Sequence, residues 1–284
     1  IGSNFIRHIL ASGRGVTVVN LDSRTYAGNP ANLADVAENP RYHWVKGDIT
    51  DPKAVDRCLL EGIDAVVHFA AETHVDRSIL DASTFLRTNV IGTQVLLDAA
   101  LRRKIGRFIH VSTDEVYGSV AKGASREDDI LAPNSPYAAS KASSDLLARA
   151  YFVTHKLPVI VTRASNNFGP CQYPEKALPL MITNWIEGEP FPLYGDGLNV
   201  RDWLYVVDHA RALELVLRKG ELGAIYNIGG THSCTNRELV ERTRVLMGTP
   251  ENLVRRVADR LGHDRRYAVD CGKLMRLGFK HSFN

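Results

Sequence analysis

The chain has 284 residues, with 35 Lys and Arg against 32 Asp and Glu, a formal net charge of +3 and 44% hydrophobic residues. This length and composition predict a globular protein of one large or two modest domains. The sequence contains no run of five or six like charges, which argues against a nucleic-acid-binding protein. It also contains no apolar stretch long enough to predict a membrane span.

The four cysteines, Cys58, Cys171, Cys234 and Cys271, lie too far apart for the CxxC spacing of metal or redox sites. So few cysteines in a chain of this length do not indicate a disulfide scaffold. We therefore expect unpaired thiols, no metal site and a reducing, cytoplasmic location.

Short runs of β-branched residues alternate with segments of helical periodicity from the start of the chain to about residue 160. Continuous apolar runs of this length are typical of parallel strands that are buried on both faces. The pattern predicts an α/β fold with a doubly wound parallel sheet. The predicted strands cover 16–21, 65–69, 108–112 and 158–162, and the clearest predicted helices cover 85–101 and 137–155.

After Arg163 the apolar runs become shorter and loop residues more frequent, as in 166–170 and 189–192. This change predicts a dinucleotide-binding domain over 1–162 and a smaller mixed α/β substrate domain over 163–284. Two later segments, 203–207 and 224–228, are expected to return to the large sheet. Ligands of open α/β sheets bind at the carboxyl ends of the strands, so the residues after each strand are the candidates for chemistry.

The first predicted strand ends at Asp22, which lies 20 residues after Gly2. This is the separation expected between a dinucleotide-binding glycine turn and the acidic residue that binds the adenosine ribose. A carboxylate there accepts hydrogen bonds from both ribose hydroxyls and repels a 2′-phosphate, so the pattern favours NAD over NADP. Arg24 is the counter-argument, since an arginine near this position can pair with that phosphate.

The chain begins with Ile1 and Gly2, without a methionine. Gly2 is either the last glycine of a G-x-x-G-x-x-G turn or part of a flexible terminus, and the Asp22 spacing favours the turn. In that case the earlier glycines and the central strand lie upstream of Ile1. We therefore expect the sequence to be a fragment of a longer polypeptide, and an intact mass equal to these residues alone would contradict this.

Two further segments that follow strands are candidate cofactor contacts. Asp48 and Ile49 are placed to meet an adenine ring, although an ordinary strand-end aspartate is an equally good interpretation. Phe69 is followed by Ala70 and Ala71, and two small residues let the backbone pass close to a pyrophosphate.

Tyr137 and Lys141 lie four residues apart on a predicted helix, so their side chains emerge from one face, one turn apart. A tyrosine hydroxyl ordinarily titrates near 10, and a neighbouring ammonium favours the phenolate. The pair is therefore expected to act as a base at neutral pH, and Lys141 is also expected to hold the nicotinamide ribose. An isolated YxxxK is common by chance, so its position after alternating strands and helices carries the argument.

Thr113, Asp114 and Glu115 directly follow the strand predicted over 108–112. Two adjacent carboxylates at the end of a buried strand are costly unless they are solvated, paired or used in chemistry. In a cleft, one carboxyl held protonated can donate a proton while its ionised neighbour abstracts one. A solvated acidic loop is the alternative interpretation.

These residues together carry a family resemblance. Asp22, the YxxxK pair and the strand-end threonine resemble the extended short-chain dehydrogenase/reductase superfamily, and the string 111–118 (VSTDEVYG) is similar to the dTDP-glucose 4,6-dehydratases within it. Epimerases and decarboxylases of the superfamily lack that Asp-Glu pair. The resemblance spans essentially the whole chain, with two departures: Cys171 stands where a tyrosine is usual, and the chain stops at Asn284 before the expected C-terminal helices. Further matching strings lie at 71–78, 166–170, 174–176, 194–197, 200–203 and 262–267.

The resemblance implies a Rossmann-type fold, bound NAD and the conversion of dTDP-glucose to a 4-keto-6-deoxy sugar. It assigns removal of the C4 hydroxyl proton to Tyr137, assisted by Lys141 and Thr113. Glu115 would then abstract the C5 proton, and protonated Asp114 would assist departure of the C6 hydroxyl. NAD would end the cycle as it began and stay bound.

The resemblance also implies the binding residues. Around NAD it places Gly2, Asp22, Ser23, Arg24, Thr25, Asp48, Ile49, Phe69, Ala70, Ala71, Thr73, Thr88, Tyr137, Lys141 and Asn167. Around the nucleotide sugar it places Thr73, Thr113, Asn166, Lys176, Ala177, Pro192, Leu193, Tyr194, Arg201, Asn227, Asp259 and His263. Lys176 and Arg201 would neutralise the diphosphate, which requires fixed positive charge, while a surface salt bridge to Asp202 is the alternative for Arg201.

Two other functions remain open at this stage. The first is a 4-epimerase, or a dehydratase of a different nucleotide sugar, within the same superfamily. The second is a non-catalytic NAD-sensing module, because a fold does not determine a function. The resemblance also implies a homodimer, formed through apolar positions on the helices predicted over 85–101 and 137–155.

Overall fold

The computed structural model describes residues 1–12, 15–59 and 62–283. The described residues do not include 13–14, 60–61 and 284. Residue 284 is the end of the predicted second domain. Among the described helices, none combines the length and the apolar character that crossing a bilayer requires.

The four strands predicted from β-branched runs are present, with ends that differ by one or two residues. Arg107–Thr113, for example, extends the predicted strand 108–112 by one residue at each end. In chain order the strands of the described residues are β1 (Val18–Asp22), β2 (Tyr42–Lys46), β3 (Ala65–His68), β4 (Arg107–Thr113), β5 (Val159–Ala164), β6 (Asn166–Phe168), β7 (Phe191–Tyr194), β8 (Val200–Tyr205), β9 (Ile225–Ile228), β10 (His232–Thr235) and β11 (Val254–Val257).

Both predicted helices are present, and one of them contains an irregular turn. The helix predicted over 137–155 begins one residue earlier, where the Ser135 hydroxyl accepts a hydrogen bond from the Ala138 N–H and Pro136 occupies the first turn. The segment predicted over 85–101 is helical throughout but passes through a π-helical turn, Leu86–Gly92. The α-helices are α1 (Gly2–Ala11), α2 (Pro52–Cys58), α3 (Val75–Leu80), α4 (Ala82–Phe85), α5 (Thr93–Arg102), α6 (Pro136–His155), α7 (Ala177–Ile186), α8 (Val206–Lys219), α9 (Asn236–Met247) and α10 (Gly272–Arg276).

The larger sheet is parallel and has helices on both faces. Its strand order is β3-β4-β5-β9, and a second parallel pair, β1-β2, shares no strand pairing with it among the described residues. Phe108 and Ile109 are adjacent in β4, so their side chains point to opposite faces. Phe108 packs with Leu97 of α5, whereas Ile109 packs with Phe5 of α1 and Leu213 of α8. The doubly wound α/β fold predicted from the alternating pattern is therefore confirmed.

A smaller mixed region follows β5. The strands β10, β8 and β6 form one sheet, in which β10 runs antiparallel to β8 and β6 runs parallel to it. The strands β7 and β11 form a parallel pair. This smaller region has a small core of its own, to which helices α7 and α9 contribute. The core contains Met181, Trp185, Phe191, Leu193 and Val240.

One of the two segments expected to return to the large sheet does so. β9 pairs with β5, as predicted for 224–228. The prediction for 203–207 is wrong, because β8 pairs only with β6 and β10 among the described strands. β8 buries Arg201 and Asp202, which here bond to backbone groups and to Ser165. Charged side chains of this kind find fewer polar partners between the apolar layers of the large sheet.

Candidate active site

A cavity of about 1950 Å³ extends along β1 and β3, from the amino ends of these strands to the carboxyl ends of the parallel strands. Strand ends β1, β3 and β4 contribute to its wall, together with the start of α6 and the segment around β6. With the exception of Arg24, every predicted cofactor residue lines it: Gly2, Asp22, Ser23, Thr25, Asp48, Ile49, Phe69, Ala70, Ala71, Thr73, Thr88, Tyr137, Lys141 and Asn167.

Asp22 and Arg24, which argued for different cofactors, point to different places. The Asp22 carboxylate lies at the cavity wall and accepts a hydrogen bond from the Arg24 backbone N–H at 2.7 Å. The Arg24 guanidinium instead lies over the ring of Trp44, 3.3 Å from its centre, and does not line the cavity. An acidic group without a facing arginine suits the ribose of NAD and repels a 2′-phosphate.

Asn89, which the sequence did not single out, holds the loop after β3 in place. Its side-chain oxygen accepts the Glu72 N–H at 2.8 Å, and its amide donates to the Glu72 carbonyl at 3.0 Å and to the Ser140 hydroxyl at 2.8 Å. The residue is 1% exposed and sits in the π-helical turn. Asn89 thus joins the loop of Ala70, Ala71 and Thr73 to the helix that carries Tyr137.

The acidic pair lies in a 3₁₀ turn, Asp114–Tyr117, that follows β4 directly. The Thr113 hydroxyl accepts a hydrogen bond from the Glu115 N–H at 3.3 Å and so caps the turn. Gly118 ends the turn with φ +73°, and a Cβ atom at this position would lie 2.2 Å from the Ala132 carbonyl oxygen. The turn therefore requires glycine both for its backbone conformation and for space.

We expect Gly118→Ala to destabilise the protein by roughly 3 kcal/mol, because it combines left-handed strain with overlap against a backbone carbonyl. Gly123→Ala is the matched control, since Gly123 has φ +74° but nothing within 4 Å of the added Cβ. The control isolates the backbone strain, which costs about 1 kcal/mol. Urea unfolding measures both variants, and equal losses would show that the contact with Ala132 is readily relieved.

Asp114 is buried in a position that favours its neutral form. It is 3% exposed, and its Oδ2 has no hydrogen-bond partner in the described part of the chain. Burial raises the pKa of Asp114 to about 8, with further contributions from the nearby charges of Glu115 and Asp202. At neutral pH the carboxyl therefore keeps its proton, as the role of proton donor requires.

This burial makes the stability of the protein depend on pH. Because the pKa of Asp114 is raised in the folded state, its contribution is complete below about pH 4 and is lost as the pH rises towards 8. Asp114→Asn cannot ionise, so we expect its unfolding free energy relative to the wild type to improve by up to roughly 5 kcal/mol between pH 4 and pH 8. Urea titrations at several pH values test this, with the exposed Asp128→Asn as control. Parallel curves for wild type and Asp114→Asn would contradict it.

Glu115 is half-buried at the cavity wall, within the influence of three positive charges. Burial raises the pKa of the Glu115 carboxyl, and the positive charges of Arg260, Arg201 and Lys176 oppose this rise. The two adjacent carboxyls thus lie in different surroundings: the larger cationic influence acts on Glu115 and the deeper burial on Asp114. Such a difference is what the predicted division into a proton donor and a base requires.

Tyr137 and Lys141 face the same cavity from α6. The Lys141 ammonium donates to the Val111 carbonyl at 2.9 Å, and burial lowers its pKa to about 8 against the opposing charge of Asp145. The expected lowering of the Tyr137 pKa is wrong for the protein alone: burial raises it, and the Glu115 charge raises it further. Burial disfavours the charged phenolate, and the negative charge of Glu115 adds to this effect.

The predicted phosphate-binding cations have other partners in the structure. Lys176 lines the cavity and donates to the Thr73 carbonyl at 2.7 Å, and burial lowers its pKa. Arg201 is 6% exposed and donates to the carbonyls of Val200 and Asp264 at 2.8 and 2.9 Å, while its guanidinium stacks over Tyr267. It forms no salt bridge with Asp202, so that alternative is not what the structure shows.

Other predicted substrate residues lie partly in the cavity and partly beside it. Thr73, Thr113, Asn166, Lys176 and Ala177 line it, and the buried Oδ1 of Asn166 has no partner among the described residues. Tyr194, Asp259 and His263 form a separate group: His263 Nδ1 lies 2.7 Å from Asp259 Oδ1, and the rings of Tyr194 and His263 are 6.2 Å apart. Pro192 lies on β7 beside this group, outside the cavity lining.

Two of the predicted substrate residues are not free to bind a nucleoside through their side chains. Leu193 is 5% exposed and packs in the core of the smaller region. Asn227 is fully buried, accepts the Tyr117 hydroxyl at 2.8 Å and donates to the Ser125 carbonyl at 3.0 Å. The sequence could not show the two hydrogen bonds of Asn227, because each joins segments about 100 residues apart.

Known proteins match this arrangement over the whole chain. A family model described as GDP-mannose 4,6 dehydratase matches residues 1–284. A dTDP-glucose 4,6-dehydratase of Streptomyces griseus is 55% identical over 98% of this chain and 85% of the relative. The crystal structure of the dTDP-glucose 4,6-dehydratase DesIV from Streptomyces venezuelae, with NAD and dTDP bound, superposes with a TM-score of 0.98 at 53% identity, covering 100% of this chain and 89% of that one.

The chain belongs to the dTDP-glucose 4,6-dehydratase family. Family membership confirms the resemblance that the acidic pair and the YxxxK spacing predicted. A UDP-glucuronic acid 4-epimerase of Bacillus cereus also superposes with a TM-score of 0.93, covering 100% of this chain and 91% of that one, at only 28% identity. The backbone is thus common to dehydratases and epimerases, and the side chains of the site carry the distinction.

Within the dehydratase site, Arg260 is a further residue that the sequence did not single out. Its Nε lies 3.7 Å from Asp76 Oδ1, and its charge is the largest influence that lowers the pKa of Glu115. Arg260 stands next to Asp259 and three residues before His263, both of which the sequence predicted. Its position between these two predicted residues was the available signal.

Proposed function

We propose that this protein converts dTDP-glucose to dTDP-4-keto-6-deoxyglucose with bound NAD. The observation that carries the proposal is the pair Asp114 and Glu115, whose adjacent carboxyls have different surroundings in the cavity shared by Tyr137 and Lys141. Relatives and solved structures of the same family, which are named dTDP-glucose 4,6-dehydratases, support this choice.

The residues around the cavity fit NAD. Asp22 supplies the carboxylate for the adenosine ribose, Ile49 and Ala70 supply apolar walls, and Lys141 supplies a donor for the second ribose. When bound, NAD supplies a reversible hydride acceptor, so that the overall reaction needs no external oxidant.

Each proton transfer has a residue in this proposal. The C5 hydrogen of a hexose is not acidic until C4 is a ketone, so Tyr137 acts first: its phenolate oxygen takes the C4 hydroxyl proton as C4 is oxidised. Thr113 orients the C4 hydroxyl, and the Lys141 charge favours the phenolate form of Tyr137. Glu115 then takes the C5 proton while neutral Asp114 donates a proton to the departing C6 hydroxyl, and Glu115 returns a proton to C5 when C6 is reduced.

The diphosphate of the substrate requires positive charge, which three buried or half-buried cations provide. Lys176, Arg201 and Arg260 all lower the pKa of Glu115, and Lys176 also lines the cavity. Arginine offers paired donors for phosphate oxygens, and lysine a point charge. Tyr194 and Arg260 both contact Asp76, so the group of Tyr194, Asp259 and His263 lies close to Arg260 and is the proposed contact for the nucleoside.

The domain division, location and assembly belong to the same proposal. The division is placed at 162/163, NAD binding before it and mainly nucleotide-sugar binding after it. Cys58, Cys171, Cys234 and Cys271 are all free thiols, which supports a reducing cytoplasm.

A homodimer would cover apolar side chains that are about half exposed on the π-helical turn and on α6, namely Leu86, Ile91, Leu146 and Val153. Light scattering coupled to gel filtration tests the dimer, and a mass of one chain would contradict it.

Turnover in deuterated water tests the reaction. Protein incubated with NAD and dTDP-glucose is expected to give a product with deuterium at C5 and a deoxygenated C6, identified by NMR. A C4 epimer without C5 exchange would contradict the proposal and support the epimerase alternative. Parallel incubations with UDP-glucose and GDP-mannose test the nucleotide, and turnover of either in place of dTDP-glucose would contradict the substrate assignment.

A further inference from the structure

A buried arginine links the two halves of the proposed catalytic set. Arg163 lies on β5 and is 3% exposed. Its Nε donates to Asp145 Oδ2 at 2.9 Å, and its Nη1 donates to the Tyr117 hydroxyl oxygen at 2.8 Å. One guanidinium thus bonds at the same time to α6 and to the turn that follows β4.

The Asp145 end belongs to the helix of the YxxxK pair. Asp145 is 2% exposed and lies four residues after Lys141, on the same face of α6. Its second oxygen, Oδ1, lies 3.3 Å from His110 Nε2 on β4. The negative charge of Asp145 also raises the pKa of Lys141, against the lowering that burial causes. The orientation of Asp145 therefore bears directly on the surroundings of Lys141.

The Tyr117 end belongs to the turn of the acidic pair. Tyr117 is the last residue of the 3₁₀ segment that contains Asp114 and Glu115. Its hydroxyl accepts from Arg163 and donates to Asn227 Oδ1 at 2.8 Å, so both hydrogen-bonding directions are used. Its ring packs in an apolar cluster with Ala142 of α6. The ring also lies under the Arg163 guanidinium, 4.8 Å from the ring centre, so removal of the hydroxyl alone breaks the two hydrogen bonds and keeps the ring contacts.

We propose that Asp145, Arg163 and Tyr117 form a positioning network that fixes the Tyr137–Lys141 pair relative to the Asp114–Glu115 pair. This inference rests on the proposed function, in which the two pairs act on neighbouring carbons of one sugar. A displacement of about 1 Å between such groups can cost on the order of 10²-fold in rate. A buried ion pair is a weak source of net stability, so its directional bonds are better explained by the geometry that they impose.

Tyr117→Phe tests the network, because it removes the hydroxyl and keeps the packed ring. We expect kcat for dTDP-glucose to fall at least tenfold while KM stays within twofold, and C5 exchange in deuterated water to slow in parallel. Tyr226→Phe is the matched control: Tyr226 is 3% exposed on β9, and its hydroxyl accepts only the Glu221 N–H among the described residues, at 3.0 Å. Both variants are expected to lower Tm by about 2–4 °C, and only Tyr117→Phe to lower kcat.

Arg163→Lys provides a second variant, since a single ammonium cannot bridge both partners as the guanidinium does. If the residues act as one network, the double variant with Tyr117→Phe loses no more activity than the worse single variant, whereas independent effects would multiply. If the wild type converts dTDP-glucose, two results would overturn this inference and leave the proposed function intact. One is an unchanged kcat in Tyr117→Phe, and the other is a double variant whose loss equals the product of the two single losses. Wild-type protein that does not convert dTDP-glucose would contradict the proposed function and this inference together.

Discussion

Glu115→Gln is expected to abolish C5 exchange and to lower kcat for dTDP-glucose by about 10²–10⁴-fold, the usual contribution of a positioned general base. Glutamine has the same shape but cannot accept the proton. KM should change little, because the cations proposed to bind the diphosphate remain. Rapid-quench kinetics and NMR in deuterated water measure the two effects.

Glu241→Gln is the control for this change. Glu241 carries the same chemical group on α9, where its side chain is 57% exposed and pairs with Arg244. Removal of a surface pair of this kind has little effect on stability, so kcat is expected to equal that of the wild type. C5 exchange in Glu115→Gln at more than a tenth of the wild-type rate would assign the base to another residue.

Tyr137→Phe is expected to lower kcat/KM by about 10²–10⁴-fold, because the phenolic oxygen proposed to take the C4 hydroxyl proton is lost. The ring contact with Phe85 and the bond from the Tyr137 N–H to Ser78 at 3.1 Å do not involve this hydroxyl, so the helix start should be preserved. Steady-state kinetics with circular dichroism measure activity and folding together.

The matched control for Tyr137→Phe is Tyr151→Phe on the same helix, whose hydroxyl bonds to Asp98 outside the cavity lining. It should keep wild-type kcat/KM. Tyr137→Phe should also lose C5 exchange, because the C5 proton becomes acidic only after C4 is oxidised. Exchange that persists in Tyr137→Phe would contradict this order of steps.

Local patterns were sufficient for much of the fold and for the proposed chemical groups. The runs before Asp22 and Thr113 predicted two strand ends, and the Ser135–Pro136 pair accounts for the start of the helix that carries Tyr137. These features depend on neighbours within a few residues, which the sequence displays directly. The strand over 203–207 was placed in the wrong sheet because pairing partners are chosen across long distances.

Side-chain partners were the part that the sequence could not supply. Arg24 counted against NAD until the structure placed its guanidinium over Trp44. Asn227 counted as a nucleoside contact until its amide was found bonded to Tyr117 and Ser125. In each case the partner lies at least 20 residues away, so periodicity and spacing carry no signal for it.

The sequence by itself determined which groups are available: an aspartate after β1, a Tyr-Lys pair one turn apart and two adjacent carboxyls after β4. Only the tertiary structure decided how these groups behave. Burial raises the pKa of Asp114 to about 8 and lowers that of Lys141 to about 8, while three cations gather beside Glu115 from distant segments. Desolvation and charge act through space, so these pKa shifts arise only once the folded chain has brought the residues together.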